Sequence, residues 1–358
     1  MKFGLFQTPY VRPERTPRQA FDWVLSQVVA AEAAGIDEAW IGEHYTVAWE
    51  CIPHPDLVLA TAARETERIV LAPGAHLAPY HFPGNLASRS SWMSHLAEGR
   101  YVLGLATGVN PIDTKLHGYE NSKENLDVLL ETLDIMERVW SGEPFEYEGR
   151  HRKASIPSFA WDIQEVRDMR PYGGTTVPIS VGGASPGSTS IKAAGARGLM
   201  PMSFGASAEL VRNHWETYAE AAREAGREPL SKEHHRISMT LFVADTDAEA
   251  RRLVKEGPMA RTFMEYMVPH EQKRAQRAGV TPMWAADSTI DQVIDQAMIV
   301  GSPETVAERM NEMFEAAGGW GTTLVLGHDF LENPAPWNAS LELIATEVKP
   351  RILPLPAA

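Results

Sequence analysis

Eight short apolar segments recur along the chain, and segments with the pattern of amphipathic helices separate most of them. The apolar segments span residues 2–6, 38–42, 69–77, 100–108, 177–184, 198–204, 236–244 and 322–328. Strands that alternate with helices pair in parallel through right-handed crossovers, and eight of them predict a closed (β/α)₈ TIM barrel of the α/β class. An open, doubly wound sheet is the alternative architecture.

The first predicted helix has clear boundaries in the sequence. Thr16 suits the N-cap, Pro17 suits the first helical position, and Gly35 suits the left-handed residue that ends a helix. Between them, apolar residues recur with helical spacing over residues 21–28, which places one apolar stripe on one face. The same reasoning predicts the starts of three later helices at Ser207, Thr246 and Ser302.

Two stretches are longer than the barrel repeat requires. Residues 142–176 form a polar excursion with Pro and Gly before the fifth strand. Residues 255–299 form a Met-, Arg- and Gln-rich, partly helical stretch before the last helix and strand. Loops of this length in a compact domain are usually functional covers or disordered. We therefore expect one barrel domain over residues 1–358 with two insertions.

The composition argues against several kinds of partner. The formal net charge of −14 disfavours a nucleic-acid or anionic-membrane surface, because both need clustered Lys and Arg. The single cysteine, Cys51, allows no internal disulfide and suits a reducing cytoplasm. Cys51, His44 and His54 have no recognised zinc spacing, so no metal is expected. No apolar run is long enough to span a bilayer or to form a signal-peptide core, which predicts a soluble, cytoplasmic protein.

Polar residues follow several predicted strands, at the end of the barrel where TIM-barrel enzymes place their active sites. Glu43, His44 and Tyr45 follow the second strand, and His76 follows the third. An imidazole titrates near neutrality and transfers protons, so His44 is the candidate catalytic residue. The alternative is a hydrogen-bonded histidine that serves packing.

Two runs of small residues also lie at strand ends. The run GGASPGS, Gly182–Ser188, lies between a strand and a helix, and it matches neither a Walker loop nor a dinucleotide fingerprint. Backbone N–H groups at a helix N-terminus favour a phosphate there, and Ser185 and Ser188 add hydroxyl donors; a structural turn is the alternative. Gly74–Ala75 removes side-chain bulk, which would let a flat ligand lie against the backbone, unless it is only a barrel corner.

Four segments that occur in order resemble the bacterial luciferase-like flavin monooxygenases. They are EAWIGEHY, IVLAPGAHLAPYHFP, LAEGRYVLGLATG and GSPETVAERM, and the pairing of GEHYTVAWE with LAPYHFP is most similar to limonene-monooxygenase-like members. The resemblance implies a two-component enzyme on a (β/α)₈ barrel. Such an enzyme uses reduced FMN from a separate flavin reductase, with O₂ as co-substrate. It further implies a homodimer through helices near the second and third strands, and a mobile cover within residues 255–299.

The resemblance also assigns residues to the cofactor. His44 matches a histidine near the reactive edge of the flavin. Gly74–Ala75 match a small pair, often joined by a non-proline cis peptide, against which the isoalloxazine ring packs. Ala106 and Thr107 stand where luciferase has a cysteine and an arginine that helps to hold the FMN phosphate. Tyr45 replaces a second histidine.

The same comparison places the phosphate in the turn after the fifth strand. Gly183, Ala184 and Ser185 fall in this turn, where luciferase has a Glu-Ser pair. Backbone amides, together with Ser185 or Ser188, would therefore hold the phosphate in this chain.

In this chemistry reduced FMN and O₂ form a peroxide adduct, and the protein excludes water and controls the protonation of the distal oxygen. A deprotonated peroxide attacks a carbonyl in a Baeyer–Villiger insertion, whereas a protonated one oxygenates an alkene, a sulfur or a carbanion. His44 would control this choice, with Tyr45 as the second catalytic candidate. His76, Asn110 and Met202 are the candidate contacts to a small, hydrophobic substrate.

Two other functions share this fold. An F420-dependent oxidoreductase transfers hydride, and it usually carries basic residues for the polyglutamate tail of its cofactor. The acidic chain shows no obvious cluster of such residues. The second alternative is a barrel that binds flavin without catalysis.

Overall fold

The chain folds into alternating strands and helices, as the sequence predicts. The computed structural model describes residues 1–174, 176–205 and 207–355. The strands are β1 (Lys2–Tyr10), β2 (Glu38–Ile41), β3 (Val70–Pro73), β4 (His76–Leu77), β5 (Leu103–Ala106), β6 (Phe145–Glu148), β7 (Lys153–Ile156), β8 (Ile179–Gly183), β9 (Met200–Phe204), β10 (Arg236–Val243), β11 (Met298–Gly301) and β12 (Thr322–His328).

Eight of these strands form a parallel barrel. They pair in the order β3-β2-β1-β12-β10-β9-β8-β5, and every neighbouring pair is parallel. An isolated parallel bridge between Leu71 in β3 and Tyr101, just before β5, joins the two ends of the sheet. The TIM-barrel prediction is confirmed, and the open doubly wound sheet is wrong. β4 pairs with β5 and β11 pairs with β10.

Helices follow most of the strands, and several begin at the predicted caps. They are α1 (Pro17–Ala34), α2 (Pro55–Glu65), α3 (Pro83–Leu96), α4 (Pro111–Leu116), α5 (Asn125–Ser141), α6 (Ala160–Ile163), α7 (Thr189–Arg197), α8 (Ala208–Glu224), α9 (Asp247–Glu256), α10 (Pro258–Arg261), α11 (Val268–Ala278), α12 (Ile290–Ala297), α13 (Pro303–Ala317) and α14 (Ala335–Leu343). Thr16 caps α1 in a full capping box, and Gly35 ends it with a φ of 91°. Ser207, Thr246 and Ser302 cap α8, α9 and α13 as predicted.

The two insertions have regular structure of their own. The first contains an antiparallel hairpin of β6 and β7, followed by the single turn α6. The second is mostly helical, with a π-helical stretch, Thr262–Met267, between α10 and α11. Thr175 of the first insertion and residues 356–358 of the predicted single domain lie outside the described residues.

The inside of the barrel is filled by its own side chains. Phe6, Trp40 and Met202 belong to a buried cluster that the strands enclose. At the amino ends of the strands, the guanidinium of Arg236 donates to both carboxylate oxygens of Glu38, at 2.8 and 2.9 Å, and lies over the Trp40 ring. No helix among the described residues is both long enough and apolar enough to cross a bilayer.

Candidate active site

The loop after β2 forms one side of the rim at the carboxyl ends of the strands. Gly42 lets this loop pass close to β1, because a Cβ at Gly42 would lie 2.7 Å from the Thr8 carbonyl oxygen. The loop then returns to β1, where Tyr10 forms an antiparallel bridge with Glu50. This return brings the side chain of Glu50 beside that of His44.

His44 lies at the rim with 30% of its side chain exposed. Its Nε2 lies 2.9 Å from Oε2 of Glu50, and Oε1 of the same carboxylate accepts a 2.6 Å hydrogen bond from the Tyr266 hydroxyl. Burial disfavours the charged imidazole, but the Glu50 carboxylate outweighs it and raises the pKa of His44. Burial also disfavours the charged form of Glu50 and raises its pKa. His44 more than offsets this effect, so the pKa of Glu50 is lowered. The arrangement favours a proton on Nε2 of His44, where it faces the carboxylate.

Glu43, directly before His44, is the centre of a buried hydrogen-bond cluster. Its Oε2 lies 2.5 Å from Nδ1 of His76, and both its oxygens lie within 3.0 Å of Nε2 of His81. The Tyr45 hydroxyl donates to Oε1 of Glu43 at 2.9 Å. Burial raises the pKa of a carboxyl, but the two imidazoles more than compensate and hold the pKa of Glu43 far below its usual range.

A second carboxylate and an arginine complete this cluster. Nε2 of His76 lies 2.9 Å from Oδ1 of Asp56, whose Oδ2 lies 2.6 Å from Nε of Arg89. Burial disfavours a charge on His76, but Asp56 and Glu43 together raise its pKa to about 9. Burial lowers the pKa of His81, whose Nδ1 lies 3.2 Å from Nη2 of Arg89. Two cations, His76 and Arg89, therefore balance the buried Glu43 and the half-buried Asp56.

The same cluster offers donor atoms of the kind that bind metals. One atom each of Glu43, His76 and His81 lie within 4.8 Å of one another, which makes them a possible ligand group among the described residues. Both ring nitrogens of His76 lie within hydrogen-bond distance of a carboxylate oxygen, Nδ1 beside Glu43 and Nε2 beside Asp56. Hydrogen bonds account for all three side chains, and the expected lack of a metal stays a prediction.

Tyr45, the second catalytic candidate, belongs to the Glu43 cluster. Its ring also contacts that of His117, with 4.4 Å between the ring centroids. Burial, and then the charge of Glu43, raises the pKa of the phenol far above its usual value. Tyr45 therefore stays protonated and donates to Glu43, and its role in catalysis stays a prediction.

The predicted ring-binding residues lie at the ends of β3 and β5. The peptide bond between Gly74 and Ala75 is cis, as the family resemblance implies. A Cβ at Gly74 would lie 2.7 Å from the Phe6 ring, so only glycine fits there. Ala106 is the last residue of β5, and the carbonyl of the next residue, Thr107, accepts a 2.8 Å hydrogen bond from Asn125.

The predicted phosphate turn lies between β8 and the N-terminus of α7. Ala184 and Ser185 are exposed, whereas Gly183 and Ser188 are buried. A Cβ at Gly183 would lie 2.6 Å from Oγ of Ser188, which caps α7 by accepting from the Ile191 N–H. The turn therefore presents small, exposed residues at the N-terminus of a helix, where backbone N–H groups favour an anion.

A series of hydrogen-bonded side chains holds this turn at the Ser185 carbonyl. The Nε2–H of His214 donates to the Ser185 carbonyl at 2.8 Å, and Oγ of Ser203 lies 2.9 Å from Nδ1 of His214. Nε2 of His235 lies 2.9 Å from the same Oγ. Burial lowers the pKa of His214, and burial lowers that of His235 to about 3, so both rings are neutral. The hydrogen bonds therefore run in one direction, from His235 through Ser203 and His214 to Ser185.

The structure does not support substrate contact for two of the three predicted residues. His76 is only 1% exposed, and carboxylates occupy both its ring nitrogens. Met202 is 2% exposed and packs inside the barrel, because inward-facing side chains of β9 fill the interior. Asn110 is half-buried, and its Oδ1 caps α4 by accepting from Ile112 and Asp113. Contact between Asn110 and a substrate stays a prediction.

Several residues of the site were not predicted from the sequence. Glu50 and Tyr266 complete the surroundings of His44, and Asp56, Arg89 and His214 hold the neighbouring elements. Tyr266 lies 216 positions from Glu50 in the sequence, so no local spacing joins them. Glu43 carried a usable signal, since an acid that directly follows a buried strand needs a partner.

Comparisons with known proteins agree with this geometry. The model of the luciferase-like monooxygenase family matches residues 1–319. The chain is 41% identical to 3,6-diketocamphane 1,6-monooxygenase of Pseudomonas putida, over 99% of this chain and 98% of that protein. It is 28% identical to limonene 1,2-monooxygenase of Rhodococcus erythropolis, over 97% and 86% of the two chains.

A solved structure is similar along the whole chain. It is described as the oxygenating constituent of 3,6-diketocamphane monooxygenase from the CAM plasmid of Pseudomonas putida, a type II Baeyer–Villiger monooxygenase in complex with FMN. The two structures superpose with a TM-score of 0.92 at 42% identity, and the match covers 100% of both chains. The chain therefore belongs to the luciferase-like monooxygenase family, as the four sequence segments indicated.

Proposed function

We propose that this monooxygenase uses reduced FMN and O₂ to insert an oxygen atom into a small, hydrophobic, alicyclic ketone. The observation that carries the proposal is His44, held at the barrel rim by Glu50 with a raised pKa. The full-length similarity to a diketocamphane monooxygenase supports a Baeyer–Villiger reaction rather than epoxidation.

The described residues fit FMN. The exposed turn of residues 184–187 at the start of α7 suits a phosphate, with backbone amides in place of the arginine that Thr107 replaces. Towards the barrel, Nε2 of Gln7 and Oδ2 of Asp113 are buried without a hydrogen-bond partner among the described residues. Buried polar atoms without partners are rare, and a bound ligand or water would satisfy them. Gly74–Ala75 and Ala106 would then lie against the ring.

The chemistry divides between the cofactor and the chain. Reduced FMN, when bound, supplies the electrons and activates the oxygen for insertion. His44 keeps a proton on Nε2 against Glu50, so Nδ1 is the atom that accepts or returns a proton at the reacting oxygen. A raised pKa keeps a share of His44 protonated at neutral pH, which lets the same ring act in both directions.

Aromatic side chains of the second insertion would exclude water from this rim. Tyr266 stacks on Trp49 of the loop after β2, with 5.7 Å between centroids and 11° between planes. Phe263 contacts the His328 ring at the end of β12, and Trp284 packs against Phe263. An apolar cover protects a reactive oxygen species from hydrolysis and suits a hydrophobic substrate.

Two partners follow from the same proposal. A separate flavin reductase supplies reduced FMN, in agreement with the description of the similar structure as an oxygenating constituent. A second copy of the chain packs through α2 and α3, where Leu57, Phe82 and Trp92 are exposed. A reducing cytoplasm suits the free thiol of Cys51.

A coupled assay tests the proposal. The chain is mixed with a flavin reductase, NADH, FMN, O₂ and a bicyclic diketone, and the lactone is measured by mass spectrometry with ¹⁸O₂. Incorporation of one labelled oxygen is the expected result. Turnover only with reduced deazaflavin would favour hydride transfer by F420, and flavin binding without any product would favour a non-catalytic barrel.

His44→Asn is expected to lower lactone formation by at least about 100-fold, because it removes the proton-transfer group. The affinity for FMN should change by less than about threefold, since Asn keeps the polar character of the side chain. His234→Asn is the matched control, because His234 is exposed near the amino ends of the strands. Full turnover by the His44→Asn variant would contradict the role of His44.

A further inference from the structure

The second insertion reaches the Glu50 carboxylate through the hydroxyl of Tyr266. Tyr266 lies in the π-helical stretch Thr262–Met267, and its O–H donates to Oε1 of Glu50 at 2.6 Å. The insertion is also held by an ion pair between Arg261 and Glu14. π-Helical turns inside helices are frequent at functional sites, because they move one side chain out of the regular helical register. Here the displaced region carries Tyr266.

The Glu50 carboxylate is fully engaged. Its residue is 9% exposed, Oε1 accepts from Tyr266, and Oε2 lies 2.9 Å from Nε2 of His44. The orientation of the His44 ring therefore depends on Glu50, and the orientation of Glu50 depends on a residue 216 positions away. A carboxylate that binds one ring nitrogen of an imidazole fixes the orientation and the tautomer of the ring, and so determines the state of the other nitrogen.

We infer that Glu50 and Tyr266 are positioning residues, and that the second insertion sets the proton-transfer geometry of His44 through the Tyr266–Glu50 hydrogen bond. The inference rests on the proposed function, because it assigns a purpose to His44. The insertion is then more than a cover. With Tyr266 in place the Glu50 carboxylate is held at both oxygens, and without Tyr266 it is held only by His44.

Packing alone does not explain the hydroxyl. The Tyr266 ring already stacks on Trp49, and this contact would be the same for a phenylalanine. The hydroxyl adds one short hydrogen bond to a buried charge, and such bonds are among the stronger ones in proteins. Its pKa is raised by burial and by Glu50, so Tyr266 acts only as a donor.

The charges around the pair decide how His44 should titrate. The titratable groups that face His44 or Glu50 come from five elements: His270 of α11, Asp113 of α4, Glu43 after β2, Tyr10 of β1 and Tyr266 itself, of which the two tyrosines are neutral. Among the groups that raise the pKa of His44, Glu50 is the largest. Removal of its charge should therefore lower that pKa, while removal of the Tyr266 hydroxyl leaves the charge in place.

The first experiment needs no flavin and no substrate. The His44 ring is followed by ¹H–¹³C NMR against pH in the full chain and assigned by comparison with His44→Asn. Glu50→Gln should lower the pKa of His44 by at least about one unit, since it removes an adjacent carboxylate. Tyr266→Phe should speed amide hydrogen exchange over residues 258–278 by at least about threefold, because a buried anchor is lost.

The second experiment measures lactone formed per NADH consumed in the coupled assay. Glu50→Gln and Tyr266→Phe should each lower this ratio by about threefold or more, and the double variant should be no worse than Glu50→Gln alone. If the second insertion were only a structural cover, the two substitutions would act independently, and the fold-losses of the single variants would multiply in the double variant. Tyr147→Phe is the matched control, because it also removes a tyrosine–carboxylate hydrogen bond, to Asp134, in the first insertion.

The two experiments separate the inference from the proposed function. An unchanged His44 titration in Glu50→Gln, unchanged exchange in Tyr266→Phe, or independent effects of the two substitutions would each overturn the inference. Absence of any lactone from the unaltered chain would overturn the proposed function, and the NMR and exchange results would still decide whether Glu50 and Tyr266 position His44.

Discussion

Glu43 shows how one buried carboxylate organises the rim. It accepts from Tyr45, His76 and His81, and it is 1% exposed, so water does not share these bonds. A buried charge is tolerated only when opposite charges and donors surround it, and here His76 supplies the positive charge. The cluster fixes the residue next to His44 and so limits where the His44 ring can move.

The His76 imidazolium should make the stability of the fold depend on pH. Its pKa in the folded chain is about 9, above the ordinary 6.5, so the stabilisation is complete below pH 6.5 and is lost as the pH rises to about 9. A shift of this size corresponds to about 3 kcal/mol. Urea unfolding at pH 6, 7.5 and 9 should show the loss.

His76→Gln is the comparison for this prediction. The variant should be less stable than the unaltered chain at pH 6 and should lose less stability between pH 6 and pH 9, because glutamine carries no proton in that range. Parallel pH dependence in the two proteins would mean that His76 is neutral in the fold.

Single residues differed in how far the sequence could reveal them. The position of His44 at the rim was predicted, because the end of a strand leaves a local mark in a sequence. The cis peptide at Gly74–Ala75 was implied by the family resemblance. Glu50 and Tyr266 were not, since their roles arise from a contact between distant parts of the chain. Met202 was misplaced, because the sequence does not tell whether a strand residue faces the rim or the packed interior.

At the scale of elements, the turn between β8 and α7 depends on helix α8. His214 of α8 holds the Ser185 carbonyl, and Asn213 accepts from the Gly187 N–H at 2.8 Å. Adjacent residues of one helix thus hold both arms of the turn. A turn that is fixed in advance loses less conformational entropy when a ligand binds, so this arrangement favours the proposed phosphate site.

His214→Leu should weaken FMN binding by roughly fivefold, because it removes the hydrogen bond that holds Ser185, and the loss of such a bond costs about 1 kcal/mol. His214→Gln should retain most of the affinity, since its amide can donate to Ser185 and accept from Ser203. Flavin fluorescence titration measures both. Equal affinities for FMN in the two variants would show that the turn does not depend on this donor.

Elements with a long or regular pattern were predicted well, and short ones were not. All eight barrel strands were expected, as were the caps of α1, α8 and α13. The additional strand β11 has four residues, and α4 has six, which is too few for a period to show. The hairpin of β6 and β7 was hidden because its strands are mostly polar and half-exposed.

At the scale of the whole molecule, the barrel closes at a narrow seam between β3 and β5. Only one bridge, from Leu71 to Tyr101, joins these strands among the described residues. Gly104 of β5 lies directly at this seam, where an added Cβ would lie 2.1 Å from the Pro73 carbonyl oxygen and 2.8 Å from the Trp40 ring. Closure therefore requires the absence of a side chain at this position.

Gly104→Ala should destabilise the fold by about 3 kcal/mol, because neither a backbone carbonyl nor a fully buried indole can move away easily. Gly84→Ala is the control, since a Cβ at Gly84, in the first turn of α3, meets nothing within 4 Å. Urea unfolding of the two variants and the unaltered chain gives the comparison. Similar midpoints for all three proteins would show that the seam is loose.

The ion pair of Arg236 and Glu38 at the amino ends of the strands has a consequence for the route by which ligands enter the barrel. The guanidinium lies over the Trp40 ring, and together these side chains close the barrel at the amino ends of the strands. A small molecule must therefore enter and leave at the carboxyl ends of the strands. Ligands that enter a site with a single opening are released in the reverse of the order in which they bind. Whichever component sits deepest must enter first, and it can be exchanged only after everything above it has departed.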